Sequence, residues 1–180
     1  LVLPILEYCS VAWCPFYTCD IDVLDKVQRR MTRMLPEVRN LPYEERLRPF
    51  NLLTLYARRI RHDLIFTWNL LRGNINLNVS HFFAPAIERR TRGHNAKLQI
   101  NHSRLNIRKY FYSQRVISHW NNLPSHCVNA PSLSSFKFGL DKYFKDNGIH
   151  WFSSYLHFFF SSCIYCVTFI VFNVFFFFFF

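Results

Sequence analysis

The side chains best placed for chemistry in this chain are cations. Lys26, Arg29, Arg30 and Arg33 fall at spacings of three and four, Arg58, Arg59 and Arg61 cluster, Arg89, Arg90 and Arg92 precede a glycine, and Arg108, Lys109 and Arg115 follow. Guanidinium groups fork onto phosphate oxygens and an ammonium meets them as a point charge, so the chemistry on offer is capture of a polyanion. Between Arg89 and Lys137 there is no Asp or Glu, while Lys97 and Arg104 add to the run. A stretch of one sign repels itself; opposed phosphates relieve it, and the counterions they release make binding salt-dependent. Tyr110 and Tyr112, beside Arg108 and Lys109, are candidates to stack on unpaired bases. Phe111 and Trp120 read instead as core residues of an amphipathic helix. Gly93 after three arginines either lets backbone N–H groups approach a phosphate or marks a surface turn. Each basic group could be an ordinary solvated helix face; the interleaved aromatics favour nucleic acid.

Other chemistries find less to work with. Cys9, Cys14 and Cys19 have no neighbouring His, Cys127 follows His126 alone, and Cys163 and Cys166 form a Cys-x-x-Cys without a second pair, so no zinc site is expected. The six cysteines read as reduced intracellular thiols. A nuclease needs clustered carboxylates, whereas Asp20, Asp22, Asp25, Glu44 and Glu45 sit where helix capping and solvation explain them. His94, His102, His119 and His126 have no sequence partners that would single out a catalytic set. We assign no catalytic residue, no metal ligand and no cofactor.

The elements that must position these cations read as mainly α. From Asp20 to Leu35, Leu24, Val27, Met31 and Met34 make a stripe to be buried, with Lys26, Arg29, Arg30 and Arg33 on another face. Asp20 is the expected N-cap and Pro36 the stop. A short helix over Tyr43–Leu47 precedes a long one from Leu52 to Leu71 that buries Leu53, Tyr56, Ile60, Leu64, Trp68 and Leu71 and ends at Gly73. Asp63, four residues after Arg59, offers that arginine an intrahelical pair. Loops follow to about Asn106, with a short strand near Lys97 to Ile100. Ile107 to Trp120 is expected as one helix burying Ile107, Phe111, Ile117 and Trp120. A last helix, capped by Ser132 or Ser134, turns Phe136, Leu140 and Tyr143 or Phe144 inward.

Several ordered blocks carry a family resemblance. LPILEYCSVAW (Leu3 to Trp13), DIDVLDKVQRRMTRML (Asp20 to Leu35), RNLPYEERL, TRGHNAKL (Thr91 to Leu98), YFYSQRVISHWNNLP (Tyr110 to Pro124) and NAPSLSSFKFGLDKYF (Asn129 to Phe144) resemble the C-terminal end of reverse transcriptases of jockey-like LINE-type non-LTR retrotransposons. The likeness implies a thumb and helical extension of a right-hand RNA-directed DNA polymerase, gripping a template RNA and DNA primer hybrid. The palm, whose adjacent aspartates would hold two Mg ions, would lie upstream as a missing N-terminal partner. No adjacent Asp pair occurs in this chain, so the fragment is expected to bind nucleic acid without polymerising, in nucleus or cytoplasm. A decayed copy without function is the blander possibility.

Residues 1–147 are thus expected to form one helix-rich region, and 148–180 differ in kind. That tail has no Lys, Arg, Asp or Glu and ends in phenylalanines. Its length, with Lys142 and Lys145 ahead of it, suits a transmembrane anchor, which would place the protein at a membrane with its basic body against anionic lipid. Its thymine-rich-codon composition, with Leu156 the sole Leu, instead suits readthrough into non-coding DNA.

Overall fold

A computed structural model describes residues 2–86 and 93–148. These are mainly α-helical, and Arg89, Arg90, Arg92 and the tail lie outside them. The described residues gather into two compact units, one of residues 2–14 and 53–148, the other of residues 15–52.

The first unit is built on α5 (Leu55–Leu71). Thr54 starts it, its hydroxyl oxygen accepting the Ala57 N–H at 3.3 Å and so answering one of the donors that a helix start leaves unpaired. Leu55, Ala57, Ile60, Leu64, Trp68 and Leu70 are buried, and so are Arg59, Asp63 and Thr67. The helix is therefore enclosed around most of its circumference, beyond the single stripe its periodicity predicts; Leu53, Tyr56 and Leu71 of that stripe are only half-buried. Gly73 ends it in the left-handed region at φ 73°. Gly73 N–H then donates to Leu70 O at 3.2 Å and Asn74 N–H to Asn69 O at 3.0 Å, the paired bonds that close a helix C-terminus.

Against α5 pack α7 (Tyr112–Asn121), which buries Tyr112, Val116, Ile117 and Trp120, and α9 (Leu133–Asp146), which buries Phe136, Leu140 and Phe144. Ser132 is the N-cap of α9, accepting the Ser135 N–H. Trp68 stacks on Phe136 with centroids 5.5 Å apart, worth about 0.5–1.5 kcal/mol beyond the area it buries. The short α8 (Ser125–Val128) comes so near α9 that a Cβ on Gly139 would lie 3.0 Å from Cys127 Sγ. The expected strand near Lys97 reduces to one antiparallel bridge, Pro85 to Leu98. On its other edge Leu98 meets a side chain and not a strand: Asn121 donates to Leu98 O and accepts Leu98 N–H, both at 2.9 Å. Trp120 Nε1–H to Ala96 O at 2.8 Å and His94 Nε2–H to Trp120 O at 3.0 Å tie the same strap to α7.

At the N-terminus α1 (Val2–Glu7) and α2 (Ser10–Trp13) meet at Cys9, whose φ of 54° reverses the chain. They are fastened to α5 by polar groups. Glu7 pairs with Arg58 and reaches His62 Nε2 at 3.7 Å, and Ser10 Oγ lies 3.3 Å from His62 Nδ1. The deepest tie runs through Arg115 of α7. Its Nε and Nη2 donate to the two Asp63 oxygens at 2.8 and 2.9 Å, and Nη2 also donates to Val11 O at 2.8 Å and Ser10 O at 3.2 Å. One turn along α5, Thr67 donates its only proton to Asp63 O at 2.8 Å, so the 2.7 Å contact with Tyr112 has the tyrosine as donor.

The second unit contains α3 (Thr18–Arg33), a 3-10 turn at Pro36–Val38 and α4 (Tyr43–Leu47). The third helix starts before Asp20, with Tyr17 as N-cap and no side-chain capping bond, while Asp20 is buried in the first turn. Its expected apolar stripe is not the buried face. Asp25, Gln28 and Thr32 are buried, Leu24 and Met31 are half-buried, and Val27 and Met34 are exposed. Tyr43 of α4 explains part of this, because its ring lies under the Arg29 guanidinium at 4.7 Å and the Arg46 guanidinium at 5.7 Å. Arg46 also donates to Arg29 O at 3.3 Å. Polar and cationic contacts, rather than apolar ones, decide which side of α3 meets α4.

Burial raises the Asp63 carboxyl above its usual range even though Arg115 opposes the shift. For Arg115, burial works downward, but its hydrogen bonds and Coulombic attraction to Asp63 carry the guanidinium above its usual value. The carboxylate thus bears the desolvation, and a lone survivor of the pair would be worse off than the pair. We expect Asp63→Ala to destabilise by about 3 kcal/mol, and Asp63→Leu combined with Arg115→Met to recover most of the loss, read from urea unfolding midpoints. If the double variant is as unstable as the single one, an uncompensated charge is not the cause.

His62, His94 and His119 all have pKa values lowered by burial, with Glu7 opposing the shift at His62 and the Trp120 carbonyl at His94. A histidine whose folded pKa lies below its unfolded value supports the fold fully above about pH 6.5 and loses that support as pH falls toward the folded pKa. The melting temperature should therefore fall between about pH 7.5 and about pH 5.5, and His119→Gln should lessen that dependence. A melting temperature flat across this range would rule the effect out.

Candidate nucleic-acid interface

The helices sort the predicted cations into two populations. Lys26, Arg30 and Arg33 are exposed on α3 at relative positions that keep them on one face, spanning about 10 Å of helix axis. Arg29 is half-exposed beside them and stacked on Tyr43. Arg30 and Arg33 also fall in the last turn, where the helix dipole favours positive charge. Within the same unit Arg39 and Arg48, which the sequence analysis does not single out, are exposed as well.

On α5 the expected phosphate contacts are occupied inside the protein. Arg58 pairs with Glu7, and Arg61 makes a fork to Asp141, Nε to Oδ1 at 2.7 Å and Nη2 to Oδ2 at 3.1 Å. Arg59 is 3% exposed, its guanidinium 5.6 Å from the Trp13 ring centroid. Asp63 is bonded to Arg115, on another helix, while the charge of Arg59, the partner the spacing suggests, also acts on it. Arg115 is in turn committed to Asp63 and to the carbonyls of Ser10, Val11 and Tyr110. Arg59 and Arg115 are thus corrected from surface phosphate ligands to structural groups, and Arg58 and Arg61 reach a ligand only by leaving a carboxylate. Arg89, Arg90 and Arg92 lie outside the described residues.

The region of Arg108 and Lys109 departs most from expectation. In place of one helix there are two, α6 (Asn106–Lys109) and α7, with Phe111 extended between them at φ −63° and ψ 150°. The break changes which ring goes inside. Tyr112, expected to stack on bases, is 2% exposed and surrounded by Phe66, Phe82 and Phe83 with centroids 5.3, 6.3 and 5.7 Å away. Ile107 and Phe111, expected in the core, are exposed. Tyr110 keeps an exposed ring, with Lys109 Nζ 5.5 Å from its centroid. Arg104, visible in the acid-free run but not selected, is exposed beside them, and every residue from Arg104 to Phe111 shares that exposure.

The histidines bring one catalytic lookalike that sequence spacing does not reveal. Ser10, His62 and Glu7 lie in the order of a hydrolase relay. Ser10 is buried, however, and Glu7 is also held by Arg58, so the set reads as a strut between helices. Among the described residues no group of three His, Cys, Asp or Glu side chains is arranged to hold a metal ion, and no helix is long and apolar enough to cross a membrane. Cys9, Cys14, Cys19 and Cys127 are not disulfide-bonded.

The chain matches no family model, no curated protein and no solved structure. The meaning of the surface therefore rests on its side chains. What the exposed set can do chemically is hold anions, with Lys26, Arg30 and Arg33 on one unit and Arg104, Arg108 and Lys109 on the other. Replacing Lys26, Arg30 and Arg33 together by Gln should shift stability by no more than about 0.5 kcal/mol per site, whereas Arg59→Ala should cost about 2 kcal/mol through lost packing and cation–ring contact. Urea midpoints measure both. Equal losses would contradict the division into surface and structural cations.

Proposed function

We propose that this chain holds nucleic acid as the thumb-like, C-terminal part of a LINE-type reverse transcriptase, gripping an RNA–DNA template and primer hybrid by phosphate contacts. The observation that carries the reading is the outward stripe of Lys26, Arg30 and Arg33 on the sixteen-residue α3. Three cations along one helix face can follow a phosphate backbone, and phosphate contacts fix register without reading sequence. The ordered sequence blocks and the helical architecture agree with such a module. In this proposal polymer chemistry belongs to a separate palm region with its metal ions, and this part supplies grip and position.

A second reading has an observation of its own. Val23 and Val27 on α3, and Met34 at its C-cap, are exposed alongside the cations. A helix that presents aliphatic and basic residues side by side suits an anionic lipid surface.

Anisotropy of a labelled RNA–DNA hybrid with the full 180-residue chain, over a salt series, tests the first reading. Sub-micromolar binding should weaken linearly on a log–log plot, and Lys26→Gln, Arg30→Gln and Arg33→Gln together should reduce the slope by about three. Flotation with phosphatidylserine vesicles tests the second. Vesicle binding without hybrid binding would replace the first reading by the second.

A further inference from the structure

The segment from Arg104 to Phe111 is the longest exposed run among the described residues of the first unit. Leu105 is 72% exposed, Ile107 77% and Phe111 49%, and Tyr110 joins them. Scattered single apolar residues in water need no explanation, but four among seven successive positions form a patch. Tyr112 shows that the same chain can bury a ring: its hydroxyl bonds Thr67 and its ring meets three others, whereas the side chains that precede it, across the extended residue Phe111, are exposed. Arg104, Arg108 and Lys109 are interspersed with these apolar groups, and no acidic residue occurs from Gly93 to Leu140. Lys109 Nζ already sits beside the Tyr110 ring.

We infer that Arg104–Phe111 is a stacking platform for an unpaired nucleic-acid strand. The occupant must be anionic, because the cations lack acidic neighbours in sequence, and it must also present flat apolar faces to Tyr110 and Phe111. In a duplex the base faces are hidden within the stack and only phosphates are offered. An unpaired strand offers both, a phosphate for each cation and a base face for each ring. Leu105 and Ile107 extend the apolar floor on which a sugar or base edge rests. This inference rests on the nucleic-acid reading proposed above but uses different residues, on the other unit, from the α3 stripe. It divides the work: α3 follows a phosphate backbone whether paired or not, and the α6 segment selects a single strand.

The test uses the full chain and three labelled probes, an oligouridylate of about fifteen nucleotides, a duplex RNA and an RNA–DNA hybrid of the same length, together with phosphatidylserine vesicles. Tyr110→Ala with Phe111→Ala should weaken oligouridylate binding at least about tenfold while changing hybrid binding less than about twofold. Circular dichroism should show an unchanged fold, since both rings are exposed. Phe111→Trp should retain affinity, and its emission should be quenched on binding by more than that of the unaltered chain with its four native tryptophans, a readout that a purely structural ring would not give. Unchanged oligouridylate affinity in the double Ala variant, or an equal loss on all three nucleic acids, would overturn the inference. So would vesicle binding that falls with these substitutions while oligouridylate binding does not. If the unaltered chain binds neither hybrid nor single strand, the parent reading fails; if it binds the hybrid with a steep salt dependence but ignores ring substitution, only the platform is lost.

Discussion

A carboxylate taken out of water on the central helix must be answered, and Arg115 answers it. Asp63 lies where α5 is covered by its neighbours, so its charge requires a partner that arrives from another element with two donors in a plane. That requirement fixes the azimuth of α7 against α5. Once Arg115 is directed at Asp63, Tyr112 comes to Thr67, and Val116, Ile117 and Trp120 face the apolar core. The donors left over on the guanidinium extend to the carbonyls of Ser10 and Val11 and hold the N-terminal pair of helices. The same buried charge thus organises three segments that are far apart in sequence, and apolar burial supplies most of the stabilisation around it.

The basic character of the chain consequently has two meanings. Arginines on and against α5 are joined to carboxylates, aromatic rings and backbone carbonyls, and act as cross-links. Arg30 and Arg33 on α3 and Arg108 on α6 project into solvent and define what the surface can recognise. A formal charge of +11 does not distinguish them. The distinction arises because α5 is enclosed on most sides, so that even its polar positions are interior, whereas α3 and α6 each keep a side open.

Some of this was legible in the residues and some was not, for identifiable reasons. The apolar positions Ile60, Leu64 and Trp68, the inward Phe136 and Leu140, and the left-handed Gly73 follow from local periodicity and backbone preference and lie where those predict, while the structure decides for Ser132 over Ser134 as cap and for Phe144 over Tyr143 as the buried ring. Periodicity does not give the phase of a helix once the chain interrupts it. The break between Lys109 and Tyr112 exchanges Phe111 for Tyr112 as the buried ring, and nothing in the local sequence announces it. On α3 the apolar stripe is present but is not the buried side, and the contact of Arg29 with the Tyr43 ring is made across fourteen positions of sequence, beyond the reach of local periodicity. Partners such as Asp63 for Arg115 and Glu7 for Arg58 are likewise long-range, and spacing rules point only to the nearby Arg59, whose charge also acts on Asp63.

Arg115 holds the N-terminal helices by carbonyl oxygens, and a carbonyl is the same whichever residue carries it. Val11 could be exchanged for many side chains without Arg115 sensing the difference, provided the backbone stays in place. Positions 63 and 115 have no such latitude, because a change at either strands a charge at the other. Under mutational drift the N-terminal segment should therefore diversify in side chain while preserving its path, and positions 63 and 115 should persist or change together, leaving a paired substitution as the trace of this contact in divergent copies.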